Sequence, residues 1–187
     1  MDEVRFKETA VQYTYKDYEK FDDDKRYELI DGAIYLMSPA PTLKHQKISH
    51  ELSRQLGNFL LDKSCDIYAA PVDVCLNAAG DDDRTVVQPD IIVVCDASKL
   101  DGKRCNGAPD MVIEILSPSS VSRDMLVKFN KYLMAGVREY WIVNPENKTV
   151  HVCVLKDSKY EITDFIDDAV IPVNIFDGCV IDMSRVF

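Results

Sequence analysis

The chain is short of positive charge. Its 22 lysines and arginines face 32 acids, for a formal net charge of −10. That balance disfavours broad, non-specific attraction to nucleic acid, which comes mostly from neutralising phosphates with basic side chains. It leaves room for a local basic patch or a metal-mediated contact. Long hydrophobic runs are missing too: none approaches the roughly 20 residues of a membrane span. The start, Met1-Asp2-Glu3-Val4-Arg5, is polar and lacks the apolar core of a signal peptide, so a cytoplasmic location is expected. Six cysteines, at 65, 75, 95, 105, 153 and 179, form no CxxC pair. Scattered in this way, several in apolar runs, they predict reduced, buried thiols and neither a disulfide framework nor a zinc site. No P-loop and no dinucleotide fingerprint occurs, and Asp81-Asp82-Asp83 lacks the glycine and terminal glutamate of an EF-hand loop, so it predicts a solvated loop. Ser117-Pro118-Ser119-Ser120 has no neighbouring histidine–acid set for a serine nucleophile and is expected to turn the chain and cap the next helix. Internal repeats and low-complexity linkers are absent.

What is present fits one domain over residues 1–187, a length with room for a proper core. Tyr13 to Phe21 predicts a short helix with Thr14 as its N-cap. Asp31-Gly32 between two apolar runs predicts a two-residue hairpin. Thr42 to Lys63 predicts a long helix, since Ile48, Leu52, Leu56, Phe59 and Leu60 keep the helical period. Ile67–Leu76, Val86–Cys95, Met111–Leu116 and Glu139–Val143 read as strands, and Val121–Ala135 as a helix ended by Gly136. Val150–Leu155 and Tyr160–Phe165 read as a hairpin, with a last strand near Cys179–Ile181. This order predicts a mixed α/β fold around one sheet flanked by helices.

Two of these strands each carry one carboxylate in an apolar setting: Asp90, in Gln88-Pro89-Asp90, and Glu114, in Met111-Val112-Ile113-Glu114-Ile115-Leu116. An ionised carboxylate there is costly without a partner or a cation. If the strands pair antiparallel about Gly102, Asp90 stands opposite Glu114, and directly opposed side chains lie about 5 Å apart. Two like charges so placed repel unless they share a cation. Hard oxygen ligands suit Mg²⁺ or Mn²⁺. The following helix offers Lys128 and Lys131. Met125, Leu126, Phe129, Tyr132 and Leu133 form its expected core stripe. Lys128 flanks that stripe and can fold back toward the sheet, or pair with Asp124 one turn away; Lys131 should face water. His45 and His50 lie five apart and cannot grip one metal. His45 either faces the site mouth or is solvated or capping. Asp73 is expected to be structural, and Tyr140 and Trp141 to be core or interface.

Several segments together resemble the Uma2 family of restriction-endonuclease-like proteins. They are Tyr27-Glu28-Leu29-Ile30-Asp31-Gly32, Met37-Ser38-Pro39-Ala40-Pro41 with His45, Gln88-Pro89-Asp90, Pro109-Asp110, Glu114-Ile115-Leu116-Ser117-Pro118-Ser119, Lys128 with Tyr132, and Gly136-Val137-Arg138-Glu139-Tyr140-Trp141-Ile142-Val143 with Pro145. That family is similar to the PD-(D/E)xK nucleases. The resemblance implies a restriction endonuclease-like fold and a Mg²⁺- or Mn²⁺-dependent phosphodiester hydrolase acting on nucleic acid, DNA before RNA. It matches Asp90 and Glu114 to the two motif acids and Glu28 to a further acid that completes the metal shell. The superfamily lysine two residues after the second acid is replaced here by Leu116, which implies a relocated lysine, best matched by Lys128. A homodimer is implied as well, with the Val150–Phe165 hairpin as a candidate interface. The competing expectation is a catalytically inactive binding or assembly module on the same scaffold.

Overall fold

The computed structural model describes residues 11–21, 23–37, 40–117 and 123–187. A short helix, α1 (Tyr15–Tyr18), starts after Thr14, whose amide and hydroxyl both bond the Asp17 carboxylate. Strands β1 (Tyr27–Ile30) and β2 (Ala33–Leu36) form the expected hairpin. Asp31 and Gly32 both have positive φ, 51° and 79°, the conformation that a type I′ turn requires. Helix α2 (Leu43–Leu60) follows, its first turn capped by the Thr42 hydroxyl, which accepts from the His45 amide at 3.2 Å. Strands β3 (Asp66–Ala69), β4 (Asp73–Cys75), β5 (Val86–Val87), β6 (Ile91–Val94), β7 (Arg104–Asn106) and β8 (Met111–Ile115) come next. A π-helical stretch, Arg123–Lys128, runs into α3 (Phe129–Ala135), which Gly136 ends at φ 86°. Strands β9 (Glu139–Asn144), β10 (Thr149–Lys156), β11 (Lys159–Ile166), β12 (Val170–Pro172) and β13 (Val180–Asp182) complete the order. No helix among the described residues is long and apolar enough to cross a membrane.

The fold is mixed α/β, as expected, but it is built on two main sheets where one was anticipated. A six-stranded mixed sheet runs β11-β10-β9-β8-β6-β3, and a five-stranded mixed sheet runs β2-β1-β5-β4-β7. Ile67–Leu76 and Val86–Cys95, each read as one strand, are each broken in two and shared between the sheets. The breaks fall at Pro71 and Pro89, which have no N–H to give to a ladder. They face one another: Ala69 pairs with Ile91, the Ala70 amide donates to the Asp90 carbonyl at 2.9 Å, and beyond the bend Val74 pairs with Val87. Asp90 thus sits on a bend between sheets.

The two faces of the six-stranded sheet bury different partners. Ile48, Leu52, Leu56 and Leu60 of α2, spaced four apart, pack with Ile91, Val93, Met111, Ile113 and Trp141. On the other face Tyr132, with Phe129 and Ala135, meets Ile92, Val112, Tyr140 and Ile142, and the five-stranded sheet adds Ile30, Val74 and Val87. The alternation of β6 and β8 side chains between faces accounts for this division. Tyr140 and Trp141 are fully buried.

Four sequence expectations need correction. Cys65 and Cys95 form a disulfide, while Cys75, Cys105, Cys153 and Cys179 are free and buried. Asp66 pairs with Val94 at the end of the β3–β6 ladder, which brings the next residues outward, the two cysteines, face to face. Asp83 is fully buried, taking the amides of Asn77 and Thr85 at 2.9 and 2.8 Å, so the acidic loop is only partly solvated. Leu126, expected in the core, is 66% exposed: the wider winding of the π stretch shifts the phase of the residues ahead of α3. Lys131 bonds Asp31 at 2.6 Å and is largely covered. The helix cap expected from Ser117-Pro118-Ser119-Ser120 falls on residues 118–120, which lie outside the described residues.

Glu139 anchors the C-terminal segment. Its buried carboxylate accepts from Trp141 Nε1 at 2.7 Å and from the Ile175 amide at 2.9 Å. Burial raises its pKa above the ordinary 4.5, and these donors oppose the rise. A raised folded-state pKa means that the native state holds the proton longer than the unfolded chain. Stability relative to Glu139→Gln is therefore expected to be highest below 4.5 and to fall as pH rises through the raised value. Urea denaturation of both proteins across pH measures this, and a difference that grows with pH contradicts it. Glu139→Ala should cost about 1–3 kcal/mol by stranding buried donors.

Candidate active site

Strands β6 and β8 pair antiparallel with Ile91 opposite Ile113, Ile92 opposite Val112 and Val93 opposite Met111. This is the register about Gly102 expected from the sequence. One step further along the same ladder stand Asp90 and Glu114. Asp90 has already left the strand, and its Oδ2 takes the Ile115 amide at 2.8 Å, closing the end of the ladder with a side chain. Glu114 stays in β8, 3% exposed.

The π stretch brings Lys128 down onto the sheet. Its side chain is 3% exposed, and Nζ lies 2.7 Å from Glu28 Oε1 and 2.8 Å from Glu114 Oε1. Glu28, on β1 of the other sheet, is 1% exposed and also accepts from the Gln88 amide at 3.1 Å. Tyr132, fully buried one turn after Lys128, donates its hydroxyl to Glu114 Oε1 at 2.6 Å. Burial, and then the charge of Glu114, push the Tyr132 phenol well above its ordinary pKa, so it remains protonated and able to donate. All four residues expected from the sequence, Glu28, Asp90, Glu114 and Lys128, line one cavity of about 790 Å³.

His45 belongs there too. Its backbone amide is capped by Thr42, and its ring reaches Asp90, with Nε2 3.2 Å from Oδ2. Of the two readings open to it, the structure favours the site mouth. Arg26 and Gln88 are among the cavity residues to which the sequence reading gave no role. Arg26 Nε and Nη2 both donate to Gln88 Oε1, at 2.9 and 2.8 Å, and both residues line the cavity. A signal was available: Arg26 precedes Glu28 by two, and Gln88 precedes Asp90 by two, the spacing that puts side chains on one face of an extended chain. Asp73 bonds Tyr18 and Gln88, at 3.0 and 2.8 Å, as a structural acid. A smaller cavity of about 540 Å³ shares no lining residue with this one, and its Arg138 and Asp110 are paired at 3.1 Å.

Glu28 and Glu114 share the Lys128 ammonium, Asp90 takes His45, and the Arg26 guanidinium lines the same cavity. The donor chemistry of Asp90 and Glu114 fits a hard divalent cation, and Asp90 Oδ1 makes no hydrogen bond among the described residues. A shell of three ligands is not assembled: among the described residues no three His, Cys, Asp or Glu side chains stand where they could hold one metal ion. Glu28, expected as the third ligand, is engaged by Lys128 and by the Gln88 amide.

Among solved structures, the fold is similar to that of "a putative nuclease belonging to DUF820" from Anabaena variabilis, with a TM-score of 0.73 over 94% of this chain and 97% of that one, at 22% sequence identity. Identity that low establishes likeness of fold. The family described as "Uma2: Putative restriction endonuclease" matches residues 13–184, and the chain belongs to it. No curated protein matches.

Lys128 is the group whose removal should be felt most. Lys128→Met leaves two carboxylates buried beside each other, a change worth about 3–5 kcal/mol. Tyr132→Phe removes one charge-assisted bond, about 1.5–3 kcal/mol. Chemical denaturation of both variants is expected to rank them in that order, and a Lys128→Met protein as stable as the wild type would show that the ion group is not intact in solution.

Proposed function

We propose that the protein is a metal-dependent nuclease, a hydrolase of phosphodiester bonds in nucleic acid, with all of residues 1–187 serving one restriction endonuclease-like domain. The observation that carries this reading is the convergence of three carboxylates, Asp90, Glu114 and Glu28, with the Lys128 ammonium on one cavity. Asp90 and Glu114 would hold Mg²⁺ or Mn²⁺. Such an ion supplies Lewis-acid charge to the phosphoryl oxygens and lowers the pKa of water.

The chain's own groups then have distinct tasks. Asp90 is held by the Ile115 amide and His45, which fixes one oxygen and leaves the other for the cation. Tyr132 orients Glu114. Glu28 keeps Lys128 in place when Glu114 turns to a cation. That makes Glu28 an anchor for the lysine more than a metal ligand, although it remains close enough to the site to matter for catalysis. Lys128 is positioned to stabilise charge that develops on the phosphoryl group. A homodimer would use β11, the edge strand of the larger sheet, where Ile162 and Ile166 are exposed.

The test is incubation with plasmid, single-stranded DNA and RNA in Mg²⁺, Mn²⁺ or chelator. Cleavage is expected with metal only, and Asp90→Asn or Glu114→Gln should lower it by at least about 100-fold, on the scale of losing a principal electrostatic group, with the fold retained by circular dichroism. Cutting that persists in chelator, or in both variants, removes this mechanism. Nucleic acid bound but not cut under any condition leaves the inactive binding module as the better account.

A further inference from the structure

We infer that Arg26 is the residue that receives a backbone phosphate of the nucleic-acid substrate, an assignment that rests on the nuclease reading above. The other cations of the cavity are engaged by acids. Lys128 is locked between Glu28 and Glu114, Lys44 lies 3.0 Å from Glu146, and His45 is on Asp90. Arg26 lines the same cavity and makes no ion pair with any carboxylate among the described residues. Among the described arginines Arg84 also lacks a carboxylate partner, but it does not line the cavity.

Nor does it hang loosely in solvent. Gln88 holds it through Oε1, which takes both Nε and Nη2. The orientation of that amide is fixed from behind. Gln88 Nε2 donates to Asp73 Oδ1 at 2.8 Å and to the Tyr18 hydroxyl at 2.9 Å. An ionised carboxylate only accepts, so the NH₂ end must face Asp73 and the carbonyl end must face Arg26. The guanidinium is aimed by a neutral partner that leaves its full positive charge, and its remaining N–H groups, for a ligand. Arg26 is two residues from Glu28, and Gln88 two from Asp90, so the fork is built on the same two segments as the acids. A planar fork of N–H donors matches two phosphate oxygens. Mononegative phosphodiesters are what the neighbouring acids and their cation would act on.

The experiment measures binding apart from cutting. A 5′-fluorescein single-stranded oligonucleotide is titrated in chelator by fluorescence anisotropy, at several salt concentrations, against wild type, Arg26→Ala and Arg26→Lys. Arg26→Ala is expected to weaken binding about 10- to 100-fold, as for loss of a charge-assisted pair. It should also flatten the dependence of log affinity on log salt by about 0.7, the value for one phosphate contact on a single strand. Arg26→Lys keeps the charge and a donor for Gln88 but loses the fork, so it should restore the slope and only part of the affinity. This variant guards against a misfolded Arg26→Ala. The assignment is overturned if the two variants bind like the wild type with an unchanged salt slope, or if the wild type does not bind. A parallel calorimetric titration of the wild type with Mn²⁺ alone reports on the metal reading separately, so either can fail without the other.

Discussion

One ammonium joins two sheets. Lys128 reaches Glu28 on the five-stranded sheet and Glu114 on the six-stranded sheet, and the cavity exists where these sheets part. Desolvating three charged groups costs several kcal/mol per ion, which their mutual attraction recovers only with good geometry and extra hydrogen bonds. Those bonds are present: the Gln88 amide on Glu28 and the Tyr132 hydroxyl on Glu114. Even so, a group of this kind is a poor way to gain stability compared with apolar packing. What it does gather is three carboxylates, Glu28, Glu114 and Asp90, along one cavity, hard oxygen donors of the kind a divalent cation takes.

The same region would reconcile an acidic protein with the anionic substrate proposed for it. A net charge of −10 repels nucleic acid at long range, within the limits that salt screening sets. Local chemistry has to overcome this at the cavity. A divalent ion between Asp90 and Glu114 would add positive charge there, and Arg26, aimed by Gln88, adds a charge that no acid among the described residues neutralises. Binding of this sort is short-ranged and depends on fit, unlike the broad basic surfaces that hold nucleic acid through many phosphates.

The site was more legible in the sequence than the sheets were. Carboxylates in apolar strands are conspicuous, and setting Asp90 opposite Glu114 across a connection centred on Gly102 anticipates the register that β6 and β8 adopt. Lys128 was legible as the lysine able to turn inward, though the π stretch that delivers it was not, because a widened turn leaves no mark in a 3.6-residue pattern; Leu126 was misplaced for that reason. The division into two sheets was missed because continuous apolar runs hide a bend, although Pro71 and Pro89 mark it. The Cys65–Cys95 bond depends on which strands are neighbours, and a separation of 30 residues does not announce that. Arg26 escaped notice because an arginine beside a short strand usually faces water, and its neutral partner is 62 residues away.

The most direct test is crystallographic. Crystals grown with Mn²⁺ should give an anomalous peak between Asp90 and Glu114, about 2.1 Å from one oxygen of each, as for a hard octahedral ion, with Lys128 still bonded to Glu28. A map with no peak there, and Lys128 still bridging Glu28 and Glu114, would contradict the claim that these carboxylates are a cation site.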